Sequence, residues 1–342
     1  MATNPSSATA DTVHPSPGTS PDGQGSVDGS VKGSVDGSIT ASSDAEARVV
    51  RLSKAVVVAL VVAFCAAVWG GAGLSDSGAA PGEGARLGGD YPAFHGAGSI
   101  VLDGDLEELY DPVRQQDAQV GLGVDGYLAF AYPPHVAVAY APLAAMGFRA
   151  GYGVHTVLMA SALFGALALL TGPVPLLRRW IWPLGAAAIG FYPLFKAVGG
   201  GQNTAVTVLL VALVWRALHD GRDVVAGVAV GLLFFRPQYA LPLLGLLVVA
   251  RNWRAVIGAT GMVLATWSSV AVIFGAGWMS TWLDQVLPFV ERDAEVNAAN
   301  SISFPGFFHA LWGTGSVGAT FLGAFGAVVV SGTLVWLWMH PE

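Results

Sequence analysis

From Lys54 onward the sequence returns again and again to long apolar runs with almost no charge in them. Such runs read as membrane helices, since a crossing takes about 20 apolar residues. Candidate spans lie at 54–74, 128–147, 154–172, 181–198, 204–218, 223–235, 237–250, 255–276 and 316–339, with a shorter apolar stretch at 302–313 as an interfacial candidate. The expected fold is an all-α polytopic membrane protein. It would be a bundle of about 8–10 transmembrane helices with a large first outer loop.

Composition agrees. The chain is 54% hydrophobic and only 11% charged, where a soluble domain carries about 25% charged residues. Its mean hydropathy is +0.58. The single cysteine, Cys65, lies in the first span, which excludes a disulfide framework or a cysteine metal site. No metal cluster and no cofactor motif is visible, and none is expected. The net charge of -7 says little about partners, because the acid is concentrated in the N-terminal tail and the first loop. No basic run interleaved with aromatics points to nucleic acid.

Residues 1–47 form a separate region rich in Ser, Gly, Pro and Asp, with a short polar repeat over 25–39. Such a tail buries too little apolar surface to offset its ordering entropy and is expected to be disordered. It lacks the pattern of a cleavable signal, so the first span is expected to stay as an anchor of the domain at 48–342.

Basic residues set the expected orientation. Arg48, Arg51 and Lys54 precede the first span, which puts the N-terminus in the cytoplasm and the loop 75–127 outside a multi-pass plasma-membrane protein. The segments 219–222 and 251–254 also read as cytoplasmic. Arg178 and Arg179 conflict with this, since strict alternation places them outside. Either a span is miscounted or a segment is re-entrant. Trp180, Trp182, Trp278, Trp282, Trp336 and Trp338 lie near span ends, as interfacial tryptophans do. Residues 223–250 would reach roughly 42 Å as one helix, long for one crossing and short for two. Pro237 interrupts them, so a hairpin is expected, with Arg236 at its turn on the outer side.

The outer loop carries ten carboxylates against Arg86 and Arg114. Asp90 stands out, because Gly88 and Gly89 before it permit a tight bend. Tyr91 and His95 give it an aromatic, partly apolar setting. A carboxylate so held can serve as a general base, although most loop carboxylates are simply solvated. Lys196 and Arg236 are cations at the edges of spans, where charge is costly and marks function unless the side chain snorkels to the headgroups. Both neighbour glutamine (Gln202, Gln238) and helix-breaking glycine or proline, a setting suited to phosphate. Tyr132 precedes a double proline that rigidly starts a helix. Asn300, Ser303 and His309 belong to a polar island that is either a sugar pocket or an ordinary loop.

Taken in order, Gly89-Asp90-Tyr91, the stretch 104–111, Phe130-Ala-Tyr-Pro-Pro134, Gly201-Gln202-Asn203, Arg236-Pro-Gln238 and the stretch 300–306 resemble glycosyltransferase family 87. These are polyprenol-phosphate-sugar-dependent enzymes of the type-C membrane fold that include mannosyltransferases. The resemblance spans roughly 54–339. It implies a polyprenyl-phosphate-linked hexose donor, mannose first, a glycolipid or glycan acceptor, and membrane lipid as surroundings. It also implies Asp90 as catalytic base of an inverting transfer, and donor phosphate held by Arg236, Lys196 and Gln202. The candidate pocket residues are Tyr91, His95, Tyr132, Asn300, Ser303 and His309. Two departures stand out. Arg236 replaces the family's usual lysine, and the chain ends at Glu342 soon after a span, so a C-terminally short member is expected. The alternatives from other classes are a multi-span transporter, which predicts internal repeats and midplane charge pairs, and a non-catalytic membrane scaffold.

Overall fold

The computed structural model describes residues 46–60, 63, 89–122, 128–190, 197–296, 304–313 and 316–339. The chain divides into Met1–Val49, of which residues 46–49 are described and helical, and Val50–Glu342, which holds everything that follows here. The expected disordered tail thus lies almost wholly outside the described residues, as does most of the 54–74 span beyond residue 60.

Among the described residues there is no strand. Residues 50–60 are helical (α1). Then follow α2 (Tyr91–Asp103), a 3-10 turn (Leu106–Glu108), α3 (Pro112–Asp117), α4 (Pro134–Ala145), α5 (Phe148–Thr171), α6 (Pro175–Arg179) and α7 (Ile181–Gly190). After these come α8 (Thr204–His219), α9 (Asp223–Leu232), a 3-10 turn (Leu233–Phe235), α10 (Pro237–Val249), α11 (Trp253–Phe274), α12 (Trp278–Val296), α13 (Phe304–Trp312) and α14 (Val317–Met339). Among the described residues three helices are long and apolar enough to cross a membrane: Phe148–Thr171, Trp253–Phe274 and Val317–Leu337. The apolar helices α8 to α10 are shorter. The molecule is an all-α membrane protein.

The hairpin expected over 223–250 is present. Its helix breaks at Arg236 (φ -133°, ψ 79°), where Pro237 opens α10. The ends of the two arms away from the turn meet, because Asn252 Nδ2 donates to Asp223 Oδ1 at 2.8 Å. The first arm, α9, runs parallel to α11 at very short range. A Cβ on Gly227 would collide with the Ala255 carbonyl, and one on Gly231 would lie 2.6 Å from Met262 Cβ. The small-residue spacing Gly227-x-x-x-Gly231 therefore lets two backbones touch, the usual way helices associate in lipid.

The segment 128–147, expected as a span, is not one long helix. Its helix, α4, has 12 residues, about 18 Å at the helical rise, against a hydrocarbon thickness of about 30 Å. Gly147, at φ 78°, turns the chain directly into α5. The two helices are antiparallel, with Tyr140 Oη bonded to His155 Nδ1 at 3.2 Å and Gly151 packed on the Leu143 carbonyl. With α4 folded back beside α5, Arg178 and Arg179 fall at the same end as the other basic residues. Helix α5 runs parallel to α8, from Tyr152 beside Gly199 to Gly172 beside Arg216. Lys54 sits 5.5 Å from the Trp182 ring. Hence Arg51, Lys54, Arg178, Arg179, Arg216, Arg222, Arg251 and Arg254 all lie at one end of the bundle.

The other end is built on the acidic region. Arg114 bonds Asp105 at 2.9 Å and, at 2.6 Å, Asp103. Desolvation pulls the guanidinium pKa down, but the hydrogen bonds to Asp103 and Asp105 outweigh it and leave it above its ordinary value. Two buried glutamines of this region then clamp the incoming chain. Gln115 accepts from Phe130 N at 2.9 Å, and Gln119 Nε2 donates to the Leu128 carbonyl at 2.9 Å. Tyr110 Oη donates to the Tyr132 carbonyl at 2.7 Å. The region thus fixes where Tyr132 stands. Trp278 and Trp282, expected at a lipid interface, are instead buried, and the Trp282 indole donates to the Ala131 carbonyl at 3.1 Å.

Candidate functional site

Asp90 stands at the N-cap of α2, exposed, with its carboxylate not used to cap the helix. Its backbone N–H donates to the Gly200 carbonyl at 2.8 Å. Gly89 makes that approach possible. It has φ 45°, where an L side chain is strained, and a Cβ there would strike the Gly200 carbonyl. The turn that Asp90 meets is itself braced, since Tyr152 Oη donates to the Gly199 carbonyl at 2.6 Å and Gly201 sits at φ 66°.

Arg236 reaches the other side of the same turn. Its Nη2 donates to Asn203 Oδ1 at 2.7 Å and to Tyr132 Oη at 2.9 Å, and its Nη1 lies 3.4 Å from Thr204 Oγ1. The guanidinium carbon lies 5.7 Å from the centre of the Tyr132 ring. Asn203 occupies the N-cap of α8, where asparagine ordinarily caps with its own side chain, yet it makes no cap bond. Its oxygen is given to Arg236 instead. All of these acceptors are neutral, and among the described residues no carboxylate pairs with Arg236. The tyrosine that bonds Arg236 also lies within electrostatic reach of the Asp90 carboxylate. A positive group without a paired anion therefore shares one turn with an exposed carboxylate.

Beside this turn lies a cavity of about 360 Å³. Its walls are almost wholly apolar, from Val136, Leu158, Leu210, Leu232, Phe234 and Trp267, while Asn203 and Phe235 place one end next to Arg236. His135 and His155 also line it. An apolar slot whose Asn203 end adjoins a fixed guanidinium suits a molecule with a hydrocarbon chain and an anionic head.

The structure brings Asp90, Tyr132, Gln202 and Arg236 together. Gln202 is exposed on the shared turn, its Oε1 3.3 Å from Thr204 Oγ1. Other sequence candidates go elsewhere. Tyr91 is fully buried among Tyr140, Phe148, Tyr152 and His155. His95 is buried too, against Tyr91 and Phe148. Burial holds its imidazole below the usual histidine range. His309 faces its own helix end, with Nδ1 3.3 Å from the Gly313 carbonyl. Lys196, Asn300 and Ser303 lie outside the described residues. Sequence reasoning passed over Asn203, Thr204 and Tyr152. The signal for Asn203 was present in the Gly201-Gln202-Asn203 run, but its partner stands 33 positions away. No group of three or more His, Cys, Asp or Glu among the described residues could hold a metal ion.

The fold and the site together define a helical membrane protein whose polar, charge-bearing end adjoins an apolar slot. The chain belongs to glycosyltransferase family 87, whose pattern it matches over residues 130–342, and it is accordingly a membrane glycosyltransferase. The match takes in Tyr132, Gln202, Asn203 and Arg236 and begins downstream of Asp90. No curated protein and no solved structure matches the chain significantly.

Proposed function

We propose that this glycosyltransferase moves a hexose, mannose first, from a polyprenyl-phosphate donor to a glycolipid or glycan acceptor at the outer face of the plasma membrane, with inversion. The observation that supports this is the Arg236 guanidinium, bonded among the described residues to neutral acceptors, on the turn that also contacts Asp90 and beside the apolar cavity. The donor's prenyl chain lies in the cavity and its phosphate meets Arg236, with Lys196 and Gln202 as further contacts. Asp90 takes the proton from the acceptor hydroxyl as that oxygen attacks the anomeric carbon. The C–O bond to phosphate breaks, and Arg236 stabilises the anion that leaves. A lipid-phosphate donor is already activated, so no nucleotide-binding loop and no cofactor is called for. The gathering of basic residues at the opposite end supports an extracytoplasmic position for Asp90.

The test is direct. Purified full-length protein is incubated with labelled polyprenyl-phosphate-mannose and a glycolipid extract of its own cells. Label should pass to a glycolipid or glycan in the wild type and not in Asp90→Asn. Label that stays on the lipid with wild-type protein, or transfer undiminished in Asp90→Asn, overturns the assignment.

A further inference from the structure

At the basic end of the bundle lies a second opening, a cleft of about 560 Å³ between α5, α8 and the start of α9. Its inner wall is apolar, from Leu169, Leu209 and Leu213, and Gly165 and Ala168 leave it room. Its mouth carries Arg216, Asp220 and Arg222. Arg216 Nε donates to Asp220 Oδ2 at 2.8 Å and leans on Gly172 at the end of α5. That hydrogen bond holds the Asp220 carboxyl below the usual carboxylate range, so the pair stays ionised. Arg222 is exposed, and its side chain makes no hydrogen bond or ion pair among the described residues. The mouth therefore keeps one positive charge beyond its own carboxylate. It opens where an apolar helix surface meets the charged ends of α5 and α8.

We propose that this cleft holds an anionic glycerophospholipid, with its phosphate at Arg222 and Arg216 and part of an acyl chain along Leu169, Leu209 and Leu213. Charge complementarity selects the occupant. A basic group at the membrane surface favours an anionic headgroup, while a zwitterionic lipid brings its own ammonium against the same arginines. The cleft is separate from the Arg236 site, which lies at the opposite end of α8. The lipid is a bound component of the bundle, not the sugar donor.

The experiment uses full-length protein in detergent, exposed to phosphatidylglycerol or phosphatidylcholine of matched acyl chains, with retained lipid counted by native mass spectrometry. Phosphatidylglycerol should be retained preferentially. Arg222→Gln should weaken that retention about fivefold, the equivalent of roughly 1 kcal/mol for one basic residue near the surface. Arg254→Gln, a change at the same end but outside the cleft lining, should leave it unchanged. Asp220→Asn removes the competing carboxylate and should strengthen retention, which keeps the test decisive if Arg222→Gln does not fold. Equal retention of the two lipids overturns the proposal, as does an equal loss in Arg222→Gln and Arg254→Gln or weaker retention in Asp220→Asn.

Discussion

The backbone amide of Asp90 donates to the carbonyl of Gly200 at 2.8 Å. The contact ties the start of the acidic region to a turn that lies more than a hundred residues later in the chain. Arg236 holds that turn from its other side through Asn203. A shift of the turn would therefore move the carboxylate and the guanidinium relative to each other, and a transfer reaction that uses both is sensitive to anything that loosens it.

Asp90→Asn tests the base. An amide cannot accept the acceptor's proton, so turnover should drop by about 10²–10⁴-fold, the usual contribution of a general base. The amide is nearly the same size, and the backbone bond to Gly200 does not involve the side chain. Folding and donor binding should persist. Rates with labelled donor, alongside donor binding measured separately, check this. Near-wild-type turnover would rule Asp90 out.

Arg236→Ala should reduce turnover about 10- to 100-fold, in line with roughly 1.5–3 kcal/mol for a hydrogen bond to a charged group. Arg236→Lys should be milder because the charge stays, but it cannot reproduce the two-pronged grip on Asn203 and Tyr132. Asn203→Ala leaves the charge and removes its anchor, so its effect should fall between those two. If Arg236→Ala turned over like wild type, the donor phosphate would have to be held elsewhere.

Gly89→Ala should cost stability and activity together. The added Cβ strikes the Gly200 carbonyl, and φ 45° is strained for any L residue. A loss of about 1–3 kcal/mol is expected from the strained backbone, with turnover falling further than the loss of folded protein explains. Gly104→Ala is the control. That glycine also has positive φ, but a Cβ there meets nothing. Thermal unfolding in detergent, with activity measured below the transition, separates the two effects. Equal behaviour of the two variants would remove the close approach from the explanation.

His95 gives a pH dependence. Burial lowers its pKa in the folded protein below the ordinary value, about 6.5 in an unfolded chain. Between those two values the unfolded state binds more protons than the folded one, so stability rises with pH across that window. It is fully present above the unfolded pKa and declines as pH falls below about 6.5. His95→Phe keeps a ring in the aromatic core and removes the titration. The melting temperature of the variant should therefore decline less between pH 7 and pH 5 than that of the wild type. Parallel declines would show that His95 does not contribute.

Local chemistry in the sequence was enough for several features. Sustained apolar runs with little charge require a helical membrane protein. Pro237 cannot donate to the helix ladder and 223–250 is long for one crossing, and together these marked a break beside Arg236. Gly89 next to Asp90 marked a backbone that other residues could not follow. What needed the tertiary structure was non-local. Hydropathy alone could not tell that 128–147 folds back on α5, because a short apolar helix packed on another helix is as apolar as one that faces lipid. Tyr91 and His95 follow Asp90 closely in sequence, but helix α2 turns them into the aromatic core and leaves the carboxylate exposed. Trp278 and Trp282 found protein partners in place of the membrane surface. The grip of Asn203 and Tyr132 on Arg236 joins residues 33 and 104 positions apart. Such pairings are set by how helices pack, and a linear pattern records only which residues could take part in them.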